Sequence, residues 1–69
     1  MERTNAQKKL GKAIKKLRLD ANLTQEKLGE MTSLDRTYIS GIERGVRNPS
    51  IKNIDKLARA LKVSPSDLL

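Results

Sequence analysis

The chain has 69 residues, a net charge of +7 and neither cysteine nor histidine. A chain this short forms one small domain, predicted over residues 1–69, and leaves little room for an enclosed substrate pocket. The lack of cysteine and histidine excludes disulfides, thiolate chemistry, zinc ligation and imidazole catalysis, so we predict no metal and no cofactor. The basic charge favours a nucleic acid or another polyanion as partner, although a merely soluble basic protein would share it.

The chain also has few of the groups that other binding classes need. Tyr38 is the only aromatic residue, so a platform on which single-stranded nucleic acid stacks its bases is poorly supported. No apolar run approaches the roughly 20 residues that a membrane-spanning helix needs, and we expect no membrane contact.

Near the N terminus, apolar residues recur with the spacing of one helix face. Leu10, Ile14 and Leu17 lie on that face, and lysines occupy the opposite one. Asn22 tolerates a positive φ and is a suitable left-handed stop. The pattern therefore predicts a first helix that ends shortly before Asn22.

Capping residues divide the rest of the chain into short helices. Thr24 is suited to cap a second helix, Asp35 a third and Ser50 a fourth. Ser64, followed by a proline, has the sequence of a cap and first turn and predicts a fifth. The predicted helices cover about 5–20, 24–31, 35–44, 50–62 and 65–69.

The predicted fold class is all-α, a compact bundle of five short helices in which the second and third form a helix-turn-helix. Gly29 lies inside the second helix, where it costs about 1 kcal/mol relative to alanine. Such a cost is usually tolerated where another helix must approach closely, as a helix-turn-helix demands. The predicted core comprises Leu10, Ile14, Leu17, Leu23, Leu28, Ile39, Ile42, Ile51, Ile54, Leu57, Leu61, Val63 and Leu68.

The third predicted helix presents one polar face to solvent. At about 100° per residue, that face holds four side chains within an arc of about 100°: Arg36, Ser40, Arg44 and Thr37. Arginine can pair with guanine, and hydroxyl groups serve several base edges in the major groove. We predict that these four residues read DNA bases; the alternative is an ordinary solvated helix face.

Contacts with the DNA backbone are predicted from residues that flank this helix. Thr24 and Gln25 begin the second helix and Ser50 precedes the fourth, where free amides and the helix dipole favour a phosphate. Arg47 and Asn48 lie in the loop after the third helix, close to the path of the same strand. Thr24 and Ser50 are also simple caps, and both roles can hold together.

The segment LTQEKLGEMTSLDRTYISGIERG, followed by NPSI and ALKVSPSDLL, resembles the lambda-repressor-like, Cro/cI-type helix-turn-helix domain of the XRE family. The resemblance covers nearly the whole chain, from about residue 10 to residue 69. Within the family, LDRTYISGIERG is most similar to the controller proteins of restriction–modification systems. The resemblance implies a small dimeric regulator that binds palindromic operators and times expression of the restriction enzyme.

The same resemblance implies residue roles that spacing alone does not give. Arg18 and Glu43 match a structural pair in which the first helix grips the third. Tyr38 would reach the sugar-phosphate backbone beside the groove. Phosphate contacts would come from Gln25, Arg47 and Asn48, and contacts with base edges or the adjacent sugar-phosphate from Arg36, Thr37 and Ser40.

Two positions depart from the family pattern. Ser33 occupies a turn position that is often glycine, and Thr32 an inner position that is usually apolar, for which Leu34 can supply the missing contact. We expect a homodimer that forms through the fourth helix and the 65–69 segment. That expectation rests on the Leu68-Leu69 end, which should be exposed and apolar.

The sequence thus predicts a regulator of transcription that binds double-stranded operator DNA as a dimer, is cytoplasmic and associates with the nucleoid. The alternative is an antitoxin-type module whose main partner is another protein, because some domains of this family neutralise a toxin. An enzyme is disfavoured, since no nucleophile–base pair or phosphate-binding glycine loop is present. No small-molecule effector is indicated.

Overall fold

The computed structural model describes residues 5–69, so the first four residues of the predicted domain lie outside the described part. Residues 5–69 form four α-helices and then a single turn of 3-10 helix, with no strand among them. Every end of the four α-helices lies within one residue of its predicted position. The elements are α1 (Asn5–Asp20), α2 (Gln25–Thr32), α3 (Arg36–Glu43), α4 (Ile51–Leu61) and the 3-10 turn (Pro65–Asp67).

The prediction of a fifth helix over 65–69 is wrong, because this segment forms only one 3-10 turn. The Ser64 amide donates to the Asp67 carboxylate at 2.9 Å, and the Leu68 amide donates to the Pro65 carbonyl at 3.0 Å. The cap and the proline were therefore read correctly. Leu68, the residue that follows the turn, is buried in the core.

The capping residues act as their sequence positions indicate. The side chains of Thr24, Asp35 and Ser50 each accept a backbone N–H bond from the first turn of the following helix, at 2.9, 2.7 and 3.1 Å. Asn22 adopts a positive φ of 58° just after α1, as predicted for a left-handed stop. These local bonds explain why helices as short as eight residues begin and end where they do.

The two departures from the family pattern are both accommodated in the turn between α2 and α3. Ser33 takes the left-handed conformation that glycine often supplies there, with φ at 61°. Thr32 is buried, and its hydroxyl donates to the Leu28 carbonyl at 2.7 Å, so the polar atom in the apolar position is satisfied. Leu34 packs against the core as a partly buried side chain.

The core is built from the inward faces of all four α-helices and from one residue after them. Ile14, Leu28, Ile39, Ile42 and Leu57 are almost fully buried at its centre. Three further predicted core residues pack against this cluster but are only partly buried: Leu17, Leu23 and Val63. The helical spacing of apolar residues therefore predicted most of the core.

Two expectations about apolar residues are wrong. Ile51, predicted to be in the core, is 86% exposed, because it lies in the first turn of α4 about 70° from the centre of the apolar stripe. Leu68 was assigned both to the predicted core and to the exposed C-terminal pair; it is 1% exposed, so the core assignment is confirmed and the expected exposure is wrong. Only Leu69 of that pair is exposed, at 70%.

Two glycines allow close approaches at the two ends of α3. A Cβ at Gly29 would lie 2.7 Å from the Leu34 carbonyl oxygen, in the turn that leads into α3. A Cβ at Gly11 would meet the Ile42 carbonyl oxygen and would lie 2.8 Å from that of Glu43. The close approach predicted at Gly29 is thus made by the turn, and a second one at Gly11 joins α1 to the end of α3.

Replacing Gly11 by alanine is expected to lower the free energy of unfolding by about 1–3 kcal/mol, because the added methyl forces α1 away from α3. In an open helix interior the same change would stabilise by about 1 kcal/mol. Urea unfolding followed by circular dichroism measures the difference. The exposed neighbour Lys12→Ala is the control and should leave the unfolding curve nearly unchanged. A Gly11→Ala protein as stable as the original would contradict the close approach.

Candidate nucleic-acid interface

The outer face of α3 carries the side chains predicted to read bases. Arg36 and Thr37 are exposed and Ser40 is half-buried, whereas Ile39 and Ile42 lie beneath them in the core. The helix is therefore held from one side and presents donors and acceptors on the other. This is the arrangement that an α-helix needs to enter the major groove.

Arg44 lies just beyond this helix rather than within it. It is the C-cap residue, with φ at −84° and ψ at −4°, and its amide donates to the Ser40 carbonyl at 3.0 Å. Its backbone is still close to helical, and its side chain is exposed. Arg44 therefore extends the polar face by one position at the end of α3.

A buried ion pair fixes α3 against α1. The Arg18 guanidinium binds the Glu43 carboxylate with two parallel bonds, from Nε at 2.7 Å and from Nη2 at 3.0 Å. Its remaining Nη1 donates to the Leu23 carbonyl at 2.8 Å. The hydrogen bond to Glu43 raises the pKa of Arg18 above its ordinary value. This is the pair that the family resemblance implies.

Gln25 joins the same network from the start of α2. Its Nε2 donates to Glu43 Oε1 at 3.1 Å, so one carboxylate accepts bonds from both α1 and α2. Sequence reasoning placed Gln25 at a phosphate and did not anticipate this bond, because no spacing rule relates residues of two different helices. The bond holds the Gln25 amide at the edge of the same surface as Thr24, which caps that helix.

Arg36 and the start of α2 border one surface hollow. The hollow is open and is also lined by Thr24 and Gln25, together with residues of the turn that follows α1. The geometry therefore brings a predicted base-reading residue next to two predicted phosphate-binding residues. Glu26 also lines the hollow, so an anion at this position would meet the amides at the start of α2 and the Arg36 guanidinium beside one carboxylate.

On the other flank of α3, Tyr38 is held by two neighbours. The Asn53 Nδ2 donates to the Tyr38 hydroxyl at 3.1 Å, which ties α3 to the first turn of α4. The Arg47 guanidinium carbon lies 5.9 Å from the centre of the Tyr38 ring, within the range of a cation–π contact. Sequence analysis did not identify Asn53, since a polar residue beside an apolar stripe carries no sign of its partner.

The remaining predicted contacts lie along the loop between α3 and α4. Arg47 and Asn48 are exposed, and Ser50, at the end of the loop, caps the N terminus of α4. Exposed Arg36 and Arg44 thus lie on the polar face and exposed Arg47 lies beside it, whereas the nearby Glu43 is neutralised by Arg18. Within residues 5–69, no cluster of acidic side chains could hold a metal ion, and none of the helices is long and apolar enough to cross a membrane.

A family model described as a helix-turn-helix matches residues 14–68 of the chain. The chain belongs to the helix-turn-helix family. Among its helix-turn-helix relatives, the control protein C.BamHI of Bacillus amyloliquefaciens is 52% identical over 60 residues, which are 86% of this chain and 74% of that protein. The control protein C.MunI of a Mycoplasma species is 41% identical over 87% of this chain and 82% of its own length. The chain is thus a helix-turn-helix protein of the control-protein group.

Solved structures of controller proteins have the same fold. The restriction–modification controller protein C.AhdI of Aeromonas hydrophila superposes with a TM-score of 0.89 at 44% identity, covering 91% of this chain and 96% of that chain. The controller protein C.Esp1396I superposes with a TM-score of 0.86 at 43% identity, covering 94% and 86%. That structure is a tetramer in complex with its natural 35 base-pair operator.

Replacing Glu43 by alanine is expected to lower the free energy of unfolding by about 3 kcal/mol, because it leaves the buried Arg18 charge unpaired. The two side chains are only 9% and 3% exposed, so water compensates little. Chemical denaturation measures the loss. Asp20→Asn, which breaks the exposed Lys16–Asp20 pair at 2.9 Å, is the control and should leave the unfolding curve nearly unchanged. Losses of equal size for the two variants would rule out a special role for the buried pair.

Proposed function

We propose that this chain is a sequence-specific regulator of transcription that binds double-stranded operator DNA as a dimer, with α3 of each copy in the major groove. The observation that carries the proposal is the outer face of α3, with Arg36 and Thr37 exposed above two buried isoleucines. The 0.86 TM-score to a controller protein solved on its operator supports the same docking. Two copies would place their α3 helices in successive major grooves, about 34 Å apart.

The residues divide into readers of bases and binders of the DNA backbone. Arg36, Thr37, Ser40 and Arg44 are proposed as readers, since all four belong to or extend the outer face of α3. The backbone contacts are assigned to side chains that border this face: Thr24, Gln25, Tyr38, Arg47, Asn48 and Ser50. The location of Arg36 beside Thr24 and Gln25 supports one continuous surface for base and phosphate.

The dimer is proposed to form through α4 and the segment after it. Ile51 and Leu69 are the two most exposed large apolar side chains in the described residues, at 86% and 70%. Leu69 also borders an apolar hollow between α1 and the C-terminal segment that is lined by Leu10, Ile54 and Leu68. Exposed apolar side chains near a concave apolar surface favour a second copy as the covering partner.

The likeness to control proteins favours a role in restriction–modification over the antitoxin-type alternative. In that role the regulator would time expression of a restriction enzyme, act in the cytoplasm and associate with the nucleoid through its operator. The operator itself depends on DNA shape as well as on side chains, so it has to be measured.

Selection of bound sequences from a random duplex pool, at two salt concentrations, tests the proposal. We expect an inverted repeat that is bound far more tightly than random DNA at both concentrations. Weak, salt-sensitive binding without sequence preference would overturn the proposal. Binding would then be explained by the positive charge alone, and the antitoxin-type alternative with a protein partner would be favoured.

Replacing Arg36 by alanine is expected to weaken operator binding by about 1–3 kcal/mol and to relax base preference, because the side chain is proposed to read a base edge. Arg47→Ala is the matched comparison. It should weaken operator and random DNA alike and lower the salt slope by about one unit, as the loss of a phosphate contact does. Titrations of both variants on both DNAs measure the contrast. An Arg36→Ala protein that lost equally on operator and random DNA would not be missing a base contact.

Replacing Ile51 by glutamate is expected to weaken self-association at least tenfold, because it places a charge in the proposed dimer surface. The fold should survive, since Ile51 is exposed and an acidic residue suits the first turn of a helix. Sedimentation equilibrium measures the dimer, and circular dichroism checks the fold. Leu19→Glu, at an exposed apolar residue of α1 outside the proposed dimer surface, makes the same change of charge and is the matched control. An unaltered dimer constant for the Ile51 variant would move the interface elsewhere.

A further inference from the structure

Gly41 differs from the other helical glycines in what a side chain there would meet. At Gly11 and Gly29, the nearest atom to an added Cβ is a backbone carbonyl oxygen of another segment. At Gly41, the two nearest atoms belong to Arg47, with Cγ at 2.5 Å and Cβ at 3.4 Å, and Cγ2 of Val46 follows at an ordinary contact distance of 3.5 Å. Gly41 therefore makes room for the stem of Arg47 rather than for the packing of helices.

The backbone brings Arg47 to this position independently of its side chain. The Gly41 carbonyl accepts the amides of both Val46 and Arg47, at 2.9 and 3.1 Å. These two bonds fold the loop after α3 back along the helix. The Cα of Arg47 is thus fixed beside Gly41, and its stem lies across the helix where a Cβ is missing.

The far end of the Arg47 side chain is also placed. Its guanidinium carbon lies 5.9 Å from the centre of the Tyr38 ring, less than one helical turn before Gly41. Tyr38 is itself oriented by the 3.1 Å bond from Asn53. Backbone, stem and guanidinium are therefore all positioned in the free protein, although Arg47 is an exposed residue.

We propose that Gly41 is a positioning residue for DNA binding: its missing side chain leaves a notch in α3 that holds Arg47 and presents the guanidinium to a DNA phosphate beside the groove. The inference rests on the proposed function, since it assigns a cause to one of the proposed phosphate contacts. With a side chain at position 41, the Arg47 stem would have to leave the notch, and its guanidinium would no longer meet the phosphate. Gly41 thereby acts on affinity through Arg47 and touches no DNA itself.

The test is a double-substitution cycle of Gly41→Ala and Arg47→Ala, measured on the selected operator. One phosphate contact contributes about 0.9 to the slope of log affinity against log salt concentration. Relative to 1 M salt, that contribution strengthens binding about fivefold at about 0.15 M salt. We expect Gly41→Ala alone to weaken binding about fivefold and to lower the slope by about one, as Arg47→Ala does. In the Arg47→Ala background, Gly41→Ala should have no further effect. Equal losses from Gly41→Ala with and without Arg47 would overturn the proposal.

A structural role for Gly41 predicts a different result in unfolding. Alanine is a better helix former than glycine, and the only severe contact is with a side chain that can rotate away. We therefore expect the thermal midpoint of Gly41→Ala to equal or exceed that of the original protein. A lower midpoint accompanied by an affinity loss that persists without Arg47 would identify a merely structural glycine and overturn the inference.

The notch can also be tested in the unaltered protein, whatever the stability of the variant. A nuclear Overhauser contact between the Gly41 Hα and Arg47 Hγ protons is expected, with Arg47 Hδ shifted upfield by the Tyr38 ring. Absence of both signals in the free protein would overturn the proposal. Lys12→Ala serves as the control for loss of one positive charge and should leave the operator affinity and the salt slope nearly unchanged.

Failure of this inference can be told apart from failure of the proposed function. If an operator is selected and Arg36→Ala relaxes base preference while Gly41→Ala binds like the original protein, the positioning role alone is overturned. If no operator is selected from the random pool, the proposed function fails first. The signals between Gly41 and Arg47 then report on the notch without reference to DNA.

Discussion

The Glu43 carboxylate is the point on which the recognition region depends. Glu43 is the last residue of α3. Its carboxylate accepts two hydrogen bonds from Arg18 of α1 and a third from Gln25 of α2. Arg18 adds a bond to the Leu23 carbonyl, in the turn between those two helices. Three helices therefore meet at one carboxylate that is 3% exposed, and Arg18 connects it to the turn. A chain of 69 residues has only a small core. The charged junction therefore adds to apolar packing in fixing how α1, α2 and α3 are oriented.

This junction operates only because the helices come unusually close. Gly11 lets α1 approach the carbonyl groups at the end of α3, one turn before α1 delivers Ile14 to the core and two turns before it delivers Arg18 to Glu43. A side chain at position 11 would separate the two helices and stretch the ion pair. The close approach at Gly11 and the Arg18–Glu43 ion pair thus belong to one contact between α1 and the end of α3.

Local rules predicted the elements, and distant contacts account for what they missed. Thr24, Asp35 and Ser50 are caps whose partners lie within three residues, so their bonds can be read from the sequence. The outer face of α3 follows from helical spacing in the same way. Spacing gives no partner in another helix, so the bonds from Gln25 and Asn53 were not foreseen. The pairing of Arg18 with Glu43 came from family resemblance alone. The exposure of Ile51 was missed because burial at the edge of an apolar stripe depends on a neighbouring element, and no element within residues 5–69 covers Ile51.

The first turn of α4 joins the two surfaces on which the proposed function depends. Asn53 holds Tyr38 of α3 through a 3.1 Å bond, and Ile51, two residues earlier, is exposed on the proposed dimer surface. The same turn begins at the Ser50 cap, which lies at the end of the loop that carries Arg47. In the proposed dimer, this turn would connect the contact between copies to each α3. The distance between the two recognition helices would then depend on it, and a change in that distance would have to alter either the contact between copies or the bond from Asn53 to Tyr38.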